Sequence, residues 1–530
     1  MKTTFQSIDI SKVANRGFRD DATGHGGWTN QGEDDLRGMQ SGPLKAGKLE
    51  FHILDPVSNG NKAVAAMRKG DPACGKGEDP LELHCTDATI KINCDHQIGK
   101  IRRLHGTNCA APIYYAAYPA TDISEDLRAL DIPLTRLHDA PLFDHGMRLV
   151  DIDRVFPLFY LNEKDPRNYF FAHTDDYIAN CLNYGSKVLY RLGPSIEHSK
   201  KSYFTMPPLD YDKWGEICGQ IIAHYNEGWA GGFHHNIEYW EIWNEPDLGP
   251  KMWAGTWAEY LKLYVATAKR LKARFPNIKI GGPALTSNNE EKIRELLSEC
   301  RTQGAPLDFF SWHGYLSNPA DAIASPAIVK ALLDECGFEK TELHYNEWHY
   351  FPGSWSMTKN SRTYLASYDK VLTGSDSAAF NCAVLSGLQD TPITMANYYT
   401  GSVTPGFSWG IFDSISILPN KNYFSLMAFN LMTKYETRLE ADVPNGRNLW
   451  ALAGRDSAGG IAVLVSCFKT SERHIHLDFG GIKIDGLKVK VSLLDSDNDL
   501  TPVKPAKISG GTITLEKPAG SAVFLVEVQS

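Results

Sequence analysis

Signatures of several enzyme classes are missing from this 530-residue sequence. No Gly-Lys-Ser/Thr follows the glycine pair at 281–282, which argues against a phosphate-binding loop. The 10 cysteines are scattered and never form Cys-x-x-Cys, so neither a zinc motif nor a redox dithiol is expected. The pair His474 and His476 is what strand alternation alone produces, and we expect neither a metal nor a cofactor.

Long apolar runs and an excess of positive charge are missing as well. No run of about 18 apolar residues occurs, so no membrane partner is expected. The net charge is −9 with scattered Lys and Arg, so we expect no nucleic-acid partner. The N-terminus has no apolar core of signal-peptide length, which predicts a cytoplasmic chain as written, or a secreted or periplasmic one if a leader was removed. A homo-oligomer is left open.

The chain divides into three regions by its hydrophobic pattern. Residues 1–95 are a β-rich, sandwich-like region with alternating segments and no convincing helix. In residues 96–432 short apolar runs alternate with amphipathic helical stretches, which indicates βα units and a parallel sheet. Residues 433–530 return to strands separated by Gly, Asp and Pro, which predicts a C-terminal β-sandwich. The N-terminal region is expected either to pack with that sandwich or to form its own.

The central region contains eight candidate strands. Helical patterns lie between them: Asn288 is a candidate helix cap, and Ser325-Pro326 is a candidate helix start. The fold class is therefore predicted as α/β, a (β/α)8 TIM barrel with accessory β-sandwich regions at both termini. The candidate strands are residues 101–106, 134–139, 187–193, 237–246, 278–285, 308–315, 342–350 and 393–401.

The strongest motif is Trp-Asn-Glu-Pro at 243–246, after the apolar run of the fourth strand. Pro246 stops that strand, which leaves Glu245 at the C-terminal end of the barrel, where barrel active sites are built. Asn244 places an amide beside the carboxylate, suited to holding a sugar hydroxyl. Glu241 lies deeper in the strand, and we predict a buried structural carboxylate with a partner.

A second motif, Asn-Glu-Trp-His-Tyr at 346–350, ends the seventh strand. Such a density of polar groups in a core strand requires a cavity or partners. The competing carboxylate, Glu342, is five residues away, so in a regular strand it points to the other face and lies nearer the strand start. We therefore prefer Glu347 as the second functional carboxylate.

Two carboxylates are what glycosidic hydrolysis requires. Glu245 and Glu347 are three βα units apart, a spacing that places them on strands four and seven of one barrel. We predict a carboxyl separation of about 5–5.5 Å, the retaining geometry, whereas a separation above about 6.5 Å would exclude it.

The segments WEIWNEPD, WAGTWAEYLKLY, DFFSWHGY and HYNEW together resemble glycoside hydrolase family 39, over roughly residues 95–430. The resemblance implies a retaining, exo-acting enzyme with Glu245 as acid/base and Glu347 as nucleophile, acting on β-xylosides or arabinose-containing plant oligosaccharides. No Arg/Lys cluster at the strand ends calls for a uronate, so an iduronide is disfavoured. An endo-acting hydrolase on the same barrel and a non-catalytic carbohydrate-binding protein remain as alternatives.

The resemblance also implies roles for neighbouring residues. His313 and Tyr315 correspond to a sugar-facing pair, with Tyr315 holding the nucleophile by a hydrogen bond. His138 is expected to bind a sugar hydroxyl, while Arg136 either lines the site or is a buried partner of Glu241 or Glu347. The residues expected from the resemblance to form the aromatic platform and pocket wall are Trp409, Trp348 and His349, with core packing an equal alternative for the last two.

Overall fold

The computed structural model describes residues 86–109, 123–139, 148–197, 199–353, 370–401, 410–413 and 416–529. The described chain forms a closed eight-stranded parallel barrel and a separate ten-stranded sheet, which confirms the predicted fold class of a TIM barrel with a β-rich accessory domain. The β segments predicted near residues 48–55 and 62–68 lie outside the described residues.

The barrel is built from eight parallel strands, each paired with its neighbour in sequence, and the last pairs with the first. Each of the eight predicted segments overlaps one of these strands. Numbered in chain order after β1 (Asp87–Lys100), which belongs to the other sheet, they are β2 (His105–Asn108), β3 (Leu134–Leu137), β4 (Lys187–Leu192), β5 (Tyr239–Ile242), β6 (Lys279–Leu285), β7 (Phe309–Leu316), β8 (Glu342–Tyr350) and β9 (Met395–Tyr398).

Helices lie between these strands and begin at recognisable caps. Thr256 and Glu259 form a reciprocal capping box at the start of α5. The cap of α6 is Asn289 rather than Asn288, and α7 begins at Pro319, one turn and more before the predicted start at Ser325. The helices are α1 (Ser124–Leu130), α2 (Ile152–Val155), α3 (Ala172–Asn183), α4 (Tyr211–Glu227), α5 (Trp257–Arg274), α6 (Glu290–Gln303), α7 (Pro319–Glu335), α8 (Ser375–Gly387) and α9 (Lys421–Met432).

The two helix starts that differ from the prediction have one physical cause. Asn289 accepts a hydrogen bond from the backbone N–H of Lys292, so it satisfies a donor that the first helical turn leaves unpaired. Asn318 does the same for α7, and Pro319 stands at the first helical position, where no N–H is required. Pro326 is then accommodated inside α7, although its local sequence favours a helix start.

The second sheet is one curled ten-stranded sheet of mainly antiparallel pairs. β1 pairs antiparallel with β10 and parallel with β13, so the described part of the N-terminal region joins the C-terminal strands and extends past the boundary predicted at residue 95. The strands are β10 (Thr437–Asp442), β11 (Leu449–Arg455), β12 (Ile461–Cys467), β13 (His474–Asp478), β14 (Lys488–Leu494), β15 (Asp499–Val503), β16 (Lys507–Ser509), β17 (Thr512–Glu516) and β18 (Ala522–Gln529).

Helix α8 lies between the barrel and the second sheet. Its residues from Ser377 to Ser386 are all buried, because β8 contacts it on one side and β11, β12 and β18 on the other. Ser466 donates a hydrogen bond to the carbonyl of Ala379, and Ser521 donates to the carboxylate of Asp376. The second sheet therefore packs directly on the barrel.

Within the described residues, no helix is long and apolar enough to cross a bilayer.

The barrel interior changes from apolar to polar along its axis. Leu134, Leu189 and Phe309 form a small apolar layer near the N-terminal ends of the strands. Towards the C-terminal ends the interior side chains become polar and remain fully buried, as for Arg136 and Glu241. Buried charges are tolerated only when paired and hydrogen-bonded, so this end of the barrel has to be an interconnected network.

Candidate active site

Glu245 lies three residues beyond the end of β5, at the C-terminal end of the barrel. Its backbone has φ +42°, and Trp243 has φ +76°, a conformation that side-chain-bearing residues rarely adopt. The N–H of Glu245 donates to the carbonyl of Ala284 at 2.9 Å, which anchors the turn to the end of β6. Such backbone conformations persist where the surroundings impose them, and they concentrate at functional sites.

Glu347 is positioned by the pairing of β8 with β7. It lies opposite His313, just after an irregularity in the register between Trp312 and His313. The exposed fraction of its side chain is 5%, and that of Glu245 is 13%. Both carboxylates therefore face an almost enclosed space at the end of the barrel.

His313 lies between the two carboxylates. Its Nδ1 is 2.7 Å from Oε1 of Glu245 and 3.4 Å from Oε2 of Glu347. One donor atom from each of these three residues lies within 4.8 Å of the other two. One oxygen of Glu245 therefore lies within 4.8 Å of an oxygen of Glu347, which agrees with the predicted carboxyl separation of about 5–5.5 Å.

Arg136 is the hub of this network and is fully buried. Its Nη1 donates to Glu347 at 2.7 Å and to Asn108 at 2.9 Å, its Nε donates to Glu241 at 2.7 Å, and its Nη2 donates to Asn244 at 2.6 Å. Of the two roles left open by the sequence, the structure places Arg136 as the buried partner of both glutamates.

Glu241 matches the prediction of a structural carboxylate. Besides Arg136, it accepts hydrogen bonds from Ser311 at 2.6 Å and from Asn346 at 2.5 Å. With its oxygens occupied and no solvent exposure, it compensates the charge of Arg136 rather than facing the cavity between Glu245 and Glu347.

The protonation chemistry of Glu245 follows from its surroundings. Burial, reinforced by the nearby Asp247 carboxylate, raises the pKa of Glu245 to about 8. Burial lowers the pKa of His313 to about 4, so its ring is neutral near pH 7. Glu245 therefore carries a proton at neutral pH, as a general acid must.

Glu347 is instead surrounded by donors. Arg136 donates to one oxygen, and the phenol of Tyr315 donates to the other at 2.5 Å. These two hydrogen bonds hold both carboxylate oxygens of Glu347 in fixed positions. Tyr315 keeps its own proton, because burial and the charge of Glu347 raise the pKa of Tyr315 well above its usual value. The predicted contact between Tyr315 and the second carboxylate is thus present.

His138 lies close to Glu347, and Asn244 is a hydrogen-bond partner of Arg136. His138 is buried, and its Nε2 is 3.7 Å from Oε1 of Glu347. The side-chain carbonyl oxygen of Asn244 accepts a hydrogen bond from Arg136. Among the described residues, the side-chain N–H groups of Asn244 have only a 4.0 Å contact with the sulfur of Met252. Both residues remain suited to the predicted contacts with sugar hydroxyls.

The prediction that Trp348 lines the pocket is corrected by the structure. Trp348 is fully buried and its ring packs edge-on against Tyr398, within the core cluster between strands and helices. Its neighbour Glu347 faces the barrel interior, so alternation along β8 sends Trp348 outward. The Nδ1–H of His349 donates to the carbonyl of Tyr399 at 2.9 Å, and its ring lies at a tilt of 58° to that of Tyr315, with the ring centroids 4.6 Å apart. Trp409 lies outside the described residues.

Glu342, the competitor of Glu347, is at the opposite end of the barrel. Lys279 donates to it at 2.6 Å and Tyr239 donates to it at 3.0 Å. Despite partial burial, hydrogen bonds from His344, Lys279 and Tyr239 lower the pKa of Glu342 to about 2. It is an ordinary paired carboxylate, about a quarter exposed, and takes no part in the site.

Several residues close to the site were not predicted from the sequence. Asp139 is next to His138 and its carboxylate is 3.3 Å from the imidazole Nε2, while Arg191 and Asp151 form a fully buried ion pair behind that imidazole. The available signal was a charge within an apolar strand, in Arg191 of the segment KVLYRLG. A buried Arg demands a partner, but nothing local identifies Asp151, which is 40 residues away.

Three potential metal-ligand atoms lie close together in the site, one each from Glu245, His313 and Glu347. The guanidinium of Arg136 already lies 2.7 Å from Glu347, so a divalent ion there would sit against a fixed positive charge. Glu245 would also have to lose the proton that its surroundings favour. The donor set fits proton transfer and nucleophilic attack better than metal binding.

Comparison with known proteins agrees with this geometry. The family described as "Glycosyl hydrolases family 39" matches residues 145–394, a segment that holds β4 to β8 and both carboxylates. Over these residues the barrel is similar to glycoside hydrolase family 39. The match ends one residue before β9, and the second sheet lies outside it.

Two curated relatives and one solved structure are similar to this chain. A β-xylosidase of Caldicellulosiruptor saccharolyticus is 26% identical over 328 residues, covering 59% of this chain and 63% of the relative. A β-xylosidase of Geobacillus stearothermophilus is 29% identical over 163 residues, covering 27% of this chain and 32% of the relative. The crystal structure of a glucosidase from Croceicoccus marinus superposes with a TM-score of 0.68 at 22% identity, covering 84% of this chain and 99% of that one. At that identity, the last similarity speaks for the fold alone.

Proposed function

We propose that this protein is a retaining, exo-acting glycoside hydrolase that removes terminal pentosides, β-xylose or arabinose-containing units, from plant oligosaccharides. The observation that carries the proposal is the split environment of two adjacent carboxylates. Glu245 is held protonated by burial, whereas Glu347 accepts hydrogen bonds from Arg136 and Tyr315. A carboxyl group that burial keeps protonated, beside a second carboxylate that Arg136 and Tyr315 hold in place, supplies the acid and the nucleophile of this mechanism.

In the first step, Glu347 attacks the anomeric carbon while Glu245 donates its proton to the leaving glycosidic oxygen. The bond between the anomeric carbon and that oxygen breaks, and a glycosyl ester with Glu347 forms. Arg136 keeps one oxygen of Glu347 fixed and the Tyr315 hydroxyl fixes the other, so the attacking carboxylate is oriented before substrate arrives.

In the second step, Glu245 acts as a base. Ester formation removes the negative charge of Glu347, which lies within 4.8 Å of Glu245, so the two sites are electrostatically coupled. Glu245 accepts a proton from a water molecule whose oxygen attacks the anomeric carbon and releases Glu347. Two inversions give net retention at that carbon.

The preference for pentosides is supported by the two curated relatives, both named β-xylosidases. The alignments cover 63% and 32% of those proteins, so the substrate is proposed for this chain rather than transferred to it. An endo-acting hydrolase with the same carboxylates is the first alternative. The second alternative is a carbohydrate-binding protein without turnover. Such a protein does not require a protonated Glu245 beside Glu347.

One experiment separates these possibilities. The protein is incubated with nitrophenyl xylosides, arabinosides and a glucoside, and the anomer formed first is followed by proton NMR. We expect hydrolysis of a pentoside with retained configuration, and release of single terminal units from xylo- or arabino-oligosaccharides. Inverted product would overturn the mechanism, internal cleavage would favour the endo-acting alternative, and binding without turnover would favour the second.

A further inference from the structure

A second buried polar cluster lies directly behind His138 at the same end of the barrel. Arg191, from β4, donates its Nε to Nδ1 of His138 at 3.2 Å and its Nη2 to Asp151 at 2.6 Å. The side chains of Arg191 and Asp151 have no solvent exposure. None of the carboxylate chemistry described above uses this pair.

Asp151 is itself held rigidly. It lies at the N-terminal end of α2 and accepts hydrogen bonds from the backbone N–H of Ser195 at 2.7 Å and from the Ser195 hydroxyl at 2.9 Å. A fully buried ion pair is costly to desolvate and adds little net stability, so its retention suggests a use other than stability. Its fixed geometry determines where the Nε of Arg191 points.

The contact between Arg191 and His138 fixes which imidazole nitrogen carries the proton. A guanidinium has only N–H donors and no acceptor, so the nitrogen that it faces must offer a lone pair. Nδ1 of His138 is therefore bare, and in the neutral ring the proton lies on Nε2. The opposite tautomer would set two N–H groups against each other at 3.2 Å.

The protonated Nε2 faces the carboxylate side of the site. It is 3.3 Å from Oδ2 of Asp139 and 3.7 Å from Oε1 of Glu347. Although burial works in the other direction, His138 and Arg191 together lower the pKa of Asp139, so Asp139 is ionised near pH 7. Asp139 also accepts hydrogen bonds from the Tyr399 hydroxyl at 3.2 Å and from the backbone N–H of Ile196 at 3.2 Å, which fix its carboxylate. The Nε2–H of His138 and Oδ2 of Asp139 thus form a donor–acceptor pair, and a sugar hydroxyl, being donor and acceptor at once, can bind to both of them.

We propose that Arg191, fixed by Asp151, is a positioning residue that holds His138 as an Nε2–H donor for one hydroxyl of the terminal sugar, with Asp139 as the adjacent acceptor. The inference rests on the proposed glycoside hydrolase function and adds to it a residue that sets sugar specificity from behind the site. Without Arg191, His138 is free to take either tautomer, and the donor to that hydroxyl is present only part of the time.

The test measures discrimination between hydroxyl groups rather than overall rate. The pentoside that the wild type hydrolyses is compared with its 2-, 3- and 4-deoxy analogues, and kcat/KM ratios are obtained for wild type, His138→Phe and Arg191→Met. We expect His138→Phe to abolish the penalty for one missing hydroxyl. Arg191→Met is expected to reduce the same penalty about tenfold, the worth of one hydrogen bond, and to leave the other two penalties unchanged.

A control variant shows what the loss of a partly buried, hydrogen-bonded Arg does without contact with the site. Arg102 lies at the other end of the barrel and donates to the carbonyls of Leu388, Gln389 and Thr391. Arg102→Met is expected to lower thermal stability while all three deoxy penalties stay at their wild-type values. If Arg191→Met lowers kcat/KM by one common factor for every substrate, Arg191 is merely structural and the proposal is wrong.

A second variant covers the case in which Arg191→Met does not fold. Arg191→Lys retains a positive charge for Asp151 but lacks the Nε that reaches His138, so the same single penalty should fall while the fold is retained. An unchanged set of penalties in folded Arg191→Lys would overturn the proposal. Failure of the wild type to hydrolyse any pentoside would instead overturn the proposed function, so the two failures are distinguishable.

Discussion

Strand β8 carries one glutamate at each end, and the two have opposite environments. Glu342, at the first residue of β8, is partly exposed and accepts from Lys279 and Tyr239. Glu347, five residues later, is almost fully buried and accepts from Arg136 and Tyr315. Each therefore has one cationic and one phenolic donor, so the list of partners alone does not distinguish a structural carboxylate from a functional one.

The difference lies in what faces the remaining side of each carboxylate. Glu342 faces solvent and Lys279, a lysine that pairs with Glu342 and with side chains next to it. Glu347 faces His313 and the protonated Glu245 across an enclosed space, and it shares Arg136 with a third glutamate. The comparison shows what distinguishes the active site. Several ionisable side chains lie close together in a low-dielectric environment and share few opposite charges. These are the conditions that move the pKa values of neighbouring groups apart.

The largest expected effect comes from neutralising each glutamate in turn. Glu347→Gln should reduce kcat for a nitrophenyl pentoside by at least about 10³-fold, because the nucleophile is lost. Glu342→Gln should leave kcat within about twofold and lower the free energy of unfolding by less than about 1 kcal/mol, as for a partly exposed ion pair. Steady-state kinetics and thermal unfolding measure both. Equal losses in the two variants would contradict the assignment of Glu347.

The tyrosines that donate to the two glutamates allow the same comparison, with smaller expected effects. Tyr315→Phe removes the 2.5 Å hydrogen bond to Glu347 and should lower kcat about 10- to 100-fold, the worth of a hydrogen bond to a charged group. Tyr239→Phe removes the 3.0 Å bond to Glu342 and is the matched control, with kcat expected at the wild-type value. A rise in KM alone for Tyr315→Phe, with kcat unchanged, would show that its hydroxyl acts on substrate binding instead.

The smallest effects are the pH dependences, which should have opposite signs at the two ends. The pKa of Glu245 is raised from 4.5 to about 8, so kcat/KM should fall as pH rises through about 8, when the acid loses its proton. The same shift stabilises the fold most below about pH 4.5 and loses that contribution as pH rises towards 8, so Glu245→Gln should gain stability relative to wild type over this window.

At the other end the sign is reversed. The pKa of Glu342 is lowered from 4.5 to about 2, so its contribution to stability is present above about pH 4.5 and is lost as pH falls towards 2. Urea unfolding of wild type, Glu245→Gln and Glu342→Gln from pH 3 to 9 would sharpen the comparison. Stability differences that run in the same direction for both variants would refute the contrasting environments.

Much of this architecture was predictable because it is written in local periodicity. Each predicted strand of the barrel overlaps an observed one, and the Asn-Glu-Pro motif marks a strand end by its own chemistry, since Pro246 cannot continue a strand. Trp348 shows the limit. Its neighbours suggested a pocket, but only the direction of alternation on β8, set by the pairing of Glu347 with His313, shows that Trp348 lies in the core.

Helix boundaries and sheet membership lie between these cases. Asn288 and Asn289 are equally good caps by sequence, and the structure selects the second because its side chain meets the N–H of Lys292. β1 alternates well enough to be recognised as a strand, yet its partners are β10 and β13, more than 300 residues further along the chain. No local pattern names a partner at that distance.

The sequence by itself determined the alternation of strands and helices, and the two strand ends on which Glu245 and Glu347 stand. These follow from period, strand-stopping residues and spacing, which are local properties. Tertiary structure alone decided that Arg136 serves both Glu241 and Glu347, that burial keeps the proton on Glu245, and that Asp151 and Arg191 lie behind His138. The reason is physical: desolvation and charge pairing depend on distances between strands that the fold brings together, and residues 40 to 200 positions apart acquire those distances only when the barrel closes.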